Sequence, residues 1–132
     1  MSDCVLDASA LVMALTARTS DADTLRARLA AMRTHAPHLV DAEIGNVLRR
    51  HEQAGRISRD EAHTALWATL ALVEHRYPHT GALAEGAWAL RSNVSFYDAL
   101  YVALAAHLSV PLVTADTRLS RAPALPCRVE LV

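Results

Sequence analysis

The amino-acid sequence predicts an α/β domain built on a parallel sheet of about five strands wrapped by helices. Three observations carry that reading. Short apolar runs with strand character alternate with longer helix-prone segments, the order that yields parallel strands joined by helical crossovers. Helix starts are marked by capping residues, most clearly Ser58 with Glu61 and Ser95 with Asp98. An acidic residue twice follows an apolar strand, at Asp7 and at Asp116.

Taken in order, residues 4–6 form a short apolar strand ending at Asp7, and a helix-prone run continues to about residue 18. Ser9 either lends its hydroxyl to the same pocket as Asp7 or starts that helix. Residues 20–33 read as a second helix, opened by Ser20 and Asp23, with Leu25 and Leu29 on one face. Residues 37–40 read as the second strand. Asp41 is then expected to cap a helix that runs to Ala54 and stops at Gly55.

Glu43 falls in the first turn of that helix and Asn46 lies three residues further, so both are expected on one face. Asn46 is unfavourable in mid-helix, and its amide is suited to orienting a carboxylate or a metal-bound water. Gly45 costs about 1 kcal/mol relative to alanine in a helix interior, and close packing is the expected compensation.

The Ser58–Glu61 capping box starts the next helix, which carries Ala62, Leu66, Trp67 and Leu70, so Glu61 is explained without chemistry. Trp67 and Trp88 read as core or dimer contacts. Residues 73–77 form an edge strand closed by Pro78, and residues 80–92 a further helix. Ser95 then caps a helix with Asp98 in its first turn, and Pro111 restricts Val110 to extended geometry. The apolar run at residues 111–114 suits a strand buried on both faces, with Asp116 just beyond it. Arg118 and Arg121 precede a loop with Pro123 and Pro126, and residues 128–132 give the last strand.

The chain of 132 residues is read as one domain, without repeats or low-complexity segments. Cys4 and Cys127 are expected to be reduced thiols rather than a bridge. The apolar stretch at 8–17 lacks a basic flank, is preceded by Asp3 and Asp7, and is too short to span a bilayer, so a cytoplasmic protein is expected. All 13 basic residues are arginine. The absence of lysine excludes Walker-type phosphate loops and the receiver-like and haloacid-dehalogenase-like phosphotransfer sites. The His35/His38 and His75/His79 pairs have neither a thiolate partner nor a clear common helical face, and are not read as a zinc site.

Net charge is −1, so attraction to a polyanion must come from the distribution of charge. If four of the 14 acidic residues share one metal-filled pocket, the rest of the surface carries an excess of three positive charges. Each acid alone is explained by helix capping or turn formation. Their common placement is not. Asp7 and Asp116 follow strands, and Glu43 and Asp98 open helices, which puts all four at one edge of the sheet, where open α/β folds bind ligands. Four close carboxylates repel unless cations neutralise them, and hard divalent ions with oxygen ligands fit. Two such ions about 4 Å apart would activate a water and stabilise the leaving oxygen in phosphodiester hydrolysis. No histidine pair or nucleophilic cysteine supports a metal-free route.

Four motifs in order then carry a resemblance: VLDASAL at 5–11, EIGNVLRR at 43–50, YDALYVALA at 97–105 and LVTADTRL at 112–119. Together they resemble the PIN domain, and specifically the VapC toxins of bacterial type II toxin–antitoxin pairs, over essentially the whole chain. The resemblance implies a three-layer α/β/α fold and an endoribonuclease that cuts structured or transfer RNA, leaves a 5′-phosphate and arrests translation. It implies that Asp7, Glu43, Asp98 and Asp116 hold Mg²⁺ or Mn²⁺, with Ser9, Asn46 and Thr114 in support. Arg49, Arg50 and Arg118 are the candidate RNA contacts. It further implies a homodimer and a VapB-type antitoxin, whose C-terminal segment crosses a groove walled by the helices at 8–18 and 20–33. The competing readings are a PIN-like binding module that has lost catalysis, and a structural domain whose acids are all caps; an intact quartet argues against the first.

Overall fold

A computed structural model of the chain describes residues 2–132. Five strands, β1 (Ser2–Leu6), β2 (Met32–Pro37), β3 (His75–Tyr77), β4 (Leu112–Thr114) and β5 (Val129–Leu131), form one sheet in the order β3-β2-β1-β4-β5. Every neighbouring pair is parallel. Seven helices surround it among the described residues: α1 (Ala8–Thr16), α2 (Ser20–Ala30), α3 (Leu39–Gln53), α4 (Arg59–Leu72), α5 (Ala82–Ala89), α6 (Phe96–Leu108) and α7 (Thr117–Ser120). This is the three-layer α/β/α arrangement expected, with β3 as an edge strand. None of the helices is long and apolar enough to cross a membrane.

The sheet order places a topological switch at its centre. From β1 the chain builds outward through β2 to β3, then returns to add β4 on the other side of β1. At such a point the loops leaving the two central strands diverge and open a crevice at the carboxyl edge. That edge is supported from below by α6, whose residues from Ala99 to Ala105 are all buried. A helix apolar all round is a core helix. Its contact with α5 is close, since a Cβ added at Gly86 would stand 3.3 Å from the Cβ of Ala103.

Several boundaries differ from expectation for identifiable reasons. The second helix ends at Ala30, and Arg33 belongs to β2, which lies five residues earlier than the expected strand at 37–40. The strand is masked by polar residues whose partners are remote in sequence. Thr34 donates to the Leu72 carbonyl, and His35 is held between Asp3 and the Tyr77 hydroxyl at 2.8 and 2.7 Å. Leu39 and Val40 instead open α3, whose N-cap position is His38, not Asp41. Asp41 sits in the first turn and takes a bidentate ion pair from Arg76 at 2.7 and 2.9 Å, fastening β3 to α3. The helix expected over 80–92 is shorter, and α7 lies where no element is expected from the sequence.

The Ser58–Glu61 capping box is present in both directions. However, α4 buries Ala62, Ala65 and Thr69 while leaving Leu66, Trp67 and Leu70 exposed, and Trp88 is also exposed, so neither tryptophan is a core residue. Both cysteines are free thiols, and burial pushes that of Cys4 up to about 11.

Gly45 does not serve close packing, because a Cβ built there meets no atom within 4 Å. Gly45→Ala is therefore expected to stabilise the protein by about 0.5–1 kcal/mol, through helix propensity alone. Urea denaturation of the two proteins checks this as a rise in midpoint at unchanged slope.

Candidate functional site

Asp7 is the innermost group of the carboxyl edge. Its backbone leaves β1, and its side chain caps α1 by accepting from the Ala10 amide at 3.0 Å. The same oxygen, Oδ1, accepts from the Ser9 hydroxyl at 2.6 Å, while Oδ2 accepts from Thr114 Oγ1 at 2.5 Å, across the β1/β4 switch. Ser9 and Thr114 also receive the amides of Ala115 and Asp116, at 2.9 and 3.0 Å. One network thus fixes the ends of both central strands. Burial pushes the Asp7 carboxyl above its ordinary range, these hydrogen bonds draw it back, and the Asp98 charge adds to the rise.

Three further acids face the same cavity of about 440 Å³: Glu43 from the first turns of α3, Asp98 from the first turn of α6, and Asp116 from the N-cap of α7. Glu43 is raised by burial first and then by the charges of Asp98 and Asp7, against a lowering hydrogen bond from Tyr101. Asp98 is raised by burial and by Asp116, with Ser95 working the other way. Asp116 differs in sign. Burial acts upward on it but is outweighed by Arg118, whose backbone amide and guanidinium both bond the carboxylate.

Ser9, Arg50 and Arg118 line the cavity together with the four acids, and Thr114 stands behind it. Asn46 and Arg49 do not reach it. Asn46 is exposed and its carbonyl oxygen accepts from Arg49 at 3.0 and 3.2 Å. Positions three and four residues on both neighbour Glu43 on the helix, and the cavity lies on the side reached by Val47 and Arg50, while Asn46 is turned to Arg49. Sequence reasoning also missed Tyr101 and His51 at the cavity wall. Tyr101 lies three residues after Asp98 on the same helix and donates its hydroxyl to Glu43 Oε1 at 2.5 Å. Burial, then the Glu43 charge, pushes that hydroxyl far up, so it remains a donor. A buried tyrosine one turn from an acid was the available signal.

The donor set of carboxylates and hydroxyls, with no thiolate, suits a hard divalent cation. As they stand, no three acidic, histidine or cysteine side chains among the described residues close into a ready-made metal cluster. Like charge keeps the acids apart, Glu43 is tethered to Tyr101, and Asp116 is turned to Arg118.

The family model for the PIN domain matches residues 4–125. The chain is also 51% identical over 132 residues to ribonuclease VapC1 of Mycobacterium tuberculosis, covering 100% of this chain and 99% of that one. This chain belongs to the PIN domain family, in its VapC branch. Ribonuclease VapC9 of the same species is 45% identical to this PIN domain over 128 residues, 97% of each chain. The fold matches that of a chain in VapBC2 from Rickettsia felis bound to a promoter DNA fragment, with a TM-score of 0.72 at 15% identity and 98% coverage of both chains.

The raised acids make a prediction about the metal-free PIN domain. A carboxyl whose folded pKa lies above its unfolded value destabilises the fold once deprotonated, and ceases to do so as pH falls through the folded value toward the ordinary Asp value of 3.8. Asp98→Asn is expected to melt above the wild type at neutral pH in chelator, with the difference closing as pH is lowered toward that value. Calorimetry across pH checks it.

Proposed function

We propose that this PIN domain is a divalent-metal-dependent endoribonuclease and the toxin of a toxin–antitoxin pair. The observation that carries the proposal is the convergence of Asp7, Glu43, Asp98 and Asp116, from four separate segments, on one cavity at the switch point of the sheet. Three of them are raised by burial and mutual charge, while Arg118 bonds the fourth and its charge offsets part of the rise at Asp98. Proteins spend stability on uncompensated carboxylates where chemistry needs them.

Asp7, Glu43, Asp98 and Asp116 would hold Mg²⁺ or Mn²⁺, which supplies Lewis-acid activation of water and stabilisation of the leaving oxygen when bound. Asp7, anchored by three donors, sets the position of the site relative to the sheet. Asp98 and Glu43 bring carboxylate oxygens from the opposite wall. Arg50 and Arg118 reach the same cavity and are placed to meet a phosphate of the RNA backbone. Arg118 bonds Asp116, and an arginine from a VapB-type antitoxin would find Asp7, Glu43 and Asp98 without a bonded guanidinium. The ribonuclease names of VapC1 and VapC9 and the toxin–antitoxin assembly of VapBC2 support the class of reaction and of partner. A homodimer and a structured or transfer RNA substrate belong to the same reading.

Purified protein, freed of antitoxin, is expected to cut total cellular RNA into discrete fragments with Mg²⁺ or Mn²⁺ and not with chelator. Asp98→Asn is expected to abolish cleavage without loss of fold. Either cation should also raise the wild-type melting temperature. Cleavage that persists at the wild-type rate in Asp98→Asn would remove this acid from the mechanism, and cleavage indifferent to chelator would end the metal reading.

A further inference from the structure

Tyr101 is 1% exposed, yet its polar end is spent on the cavity and not on a structural partner in the core. It lies one helical turn beyond Asp98, so α6 sends two groups to the site from one face, a carboxylate and a phenol. The phenol spans to α3, 58 positions away in sequence, where it bonds Glu43 Oε1. A hydrogen bond from a neutral donor to a carboxylate is short and directional, and fixes the rotamer of the acid that accepts it. Glu43 is a long side chain on the first turns of a helix, with three freely rotating bonds, and without a tether it would sample several orientations. Among the described residues, the Tyr101 hydroxyl is the only side-chain hydrogen-bond donor to Glu43.

We propose that Tyr101 is a positioning residue for RNA cleavage: by holding Glu43 Oε1 it fixes the carboxylate in one orientation at the cavity, where it would serve as a ligand for the divalent cation. The proposal rests on the metal-dependent reading given above. It assigns the tyrosine a function that core packing alone would not require, since phenylalanine fills the same space.

Tyr101→Phe keeps the ring and removes only the hydroxyl. The half-saturating Mn²⁺ concentration for cleavage is expected to rise about 10- to 100-fold, the range seen when a partner of a metal ligand is removed, while KM for RNA stays unchanged. Independently of activity, the rise in melting temperature produced by sub-saturating Mn²⁺ should shrink, while the melting temperature in chelator is retained. A Tyr101→Phe protein with the wild-type Mn²⁺ half-saturation and melting shift overturns the proposal. So does a loss of cleavage that excess Mn²⁺ leaves untouched and that accompanies a lowered melting temperature in chelator, which is the mark of a packing role. Failure of the underlying reading looks different, because the wild type itself would then show neither Mn²⁺-dependent cleavage nor a melting shift, and the proposal would fall with it.

Discussion

The carboxylate of Asp7 is the group on which the arrangement of the edge depends. A buried charge is tolerated only where donors replace the water it has lost, and Asp7 has three, from Ser9, Ala10 and Thr114. The two hydroxyls are not borrowed idly. Each also accepts a backbone amide from the loop after β4, so the first strand and a segment more than 100 residues later are cross-linked through one side chain. Removing the acid would leave the hydroxyls of Ser9 and the buried Thr114, and the start of α1, without their acceptor. The DxS and TAD spellings at 7–9 and 114–116 are therefore two halves of one hydrogen-bonded unit.

Around that anchor the remaining acids are placed by helix starts. Asp98 stands in a first turn, where the positive end of the helix dipole offsets part of its repulsion, whereas Glu43, expected in a first turn, is the fifth residue of α3 because that helix opens at Leu39 and not after Asp41. The offset is incomplete, and both remain raised. The cost is distributed over the rigid parts of the molecule. The wholly buried stretch of α6 packs against the sheet and α5, and the Arg76–Asp41 pair ties the edge strand to the base of α3. A site that gathers like charge needs a scaffold that does not relax when the charges push.

How much of this was legible in the sequence follows from where each signal resides. The capping acids and the strands at β1 and β4 were readable, because their cues are local: an apolar run, a turn, a charged residue at a helix start. The four acids could be brought to one edge from topology alone. β2 was misplaced because Thr34 and His35 look like surface residues until Leu72, Asp3 and Tyr77 are beside them. Asn46 does share a helix side with Glu43 at three residues' spacing, but which edge of that side meets the cavity is set by the packing of α3 and not by its periodicity. Tyr101 went unread because its hydroxyl finds its partner on another helix. Errors gathered wherever a polar side chain was satisfied at long range.

The four acids are not equivalent, and the difference has a direction. Asp7 is deeply buried and saturated with donors, Glu43 has one donor on one oxygen, and Asp98 has only the helix-capping serine. Asp116 alone carries a guanidinium and alone is lowered. Coulomb attraction for a cation is therefore strongest at Asp7 and Glu43, which no arginine offsets, weaker at Asp98, which feels Arg118, and weakest at Asp116, which Arg118 bonds. Arg118 is itself 88% exposed, so its bond to Asp116 is screened by water and is the easiest of these interactions to exchange. On the proposed function, the inner acids would be the part of the site that needs a cation, and the Asp116–Arg118 pair the part that could open to free Arg118 for a phosphate.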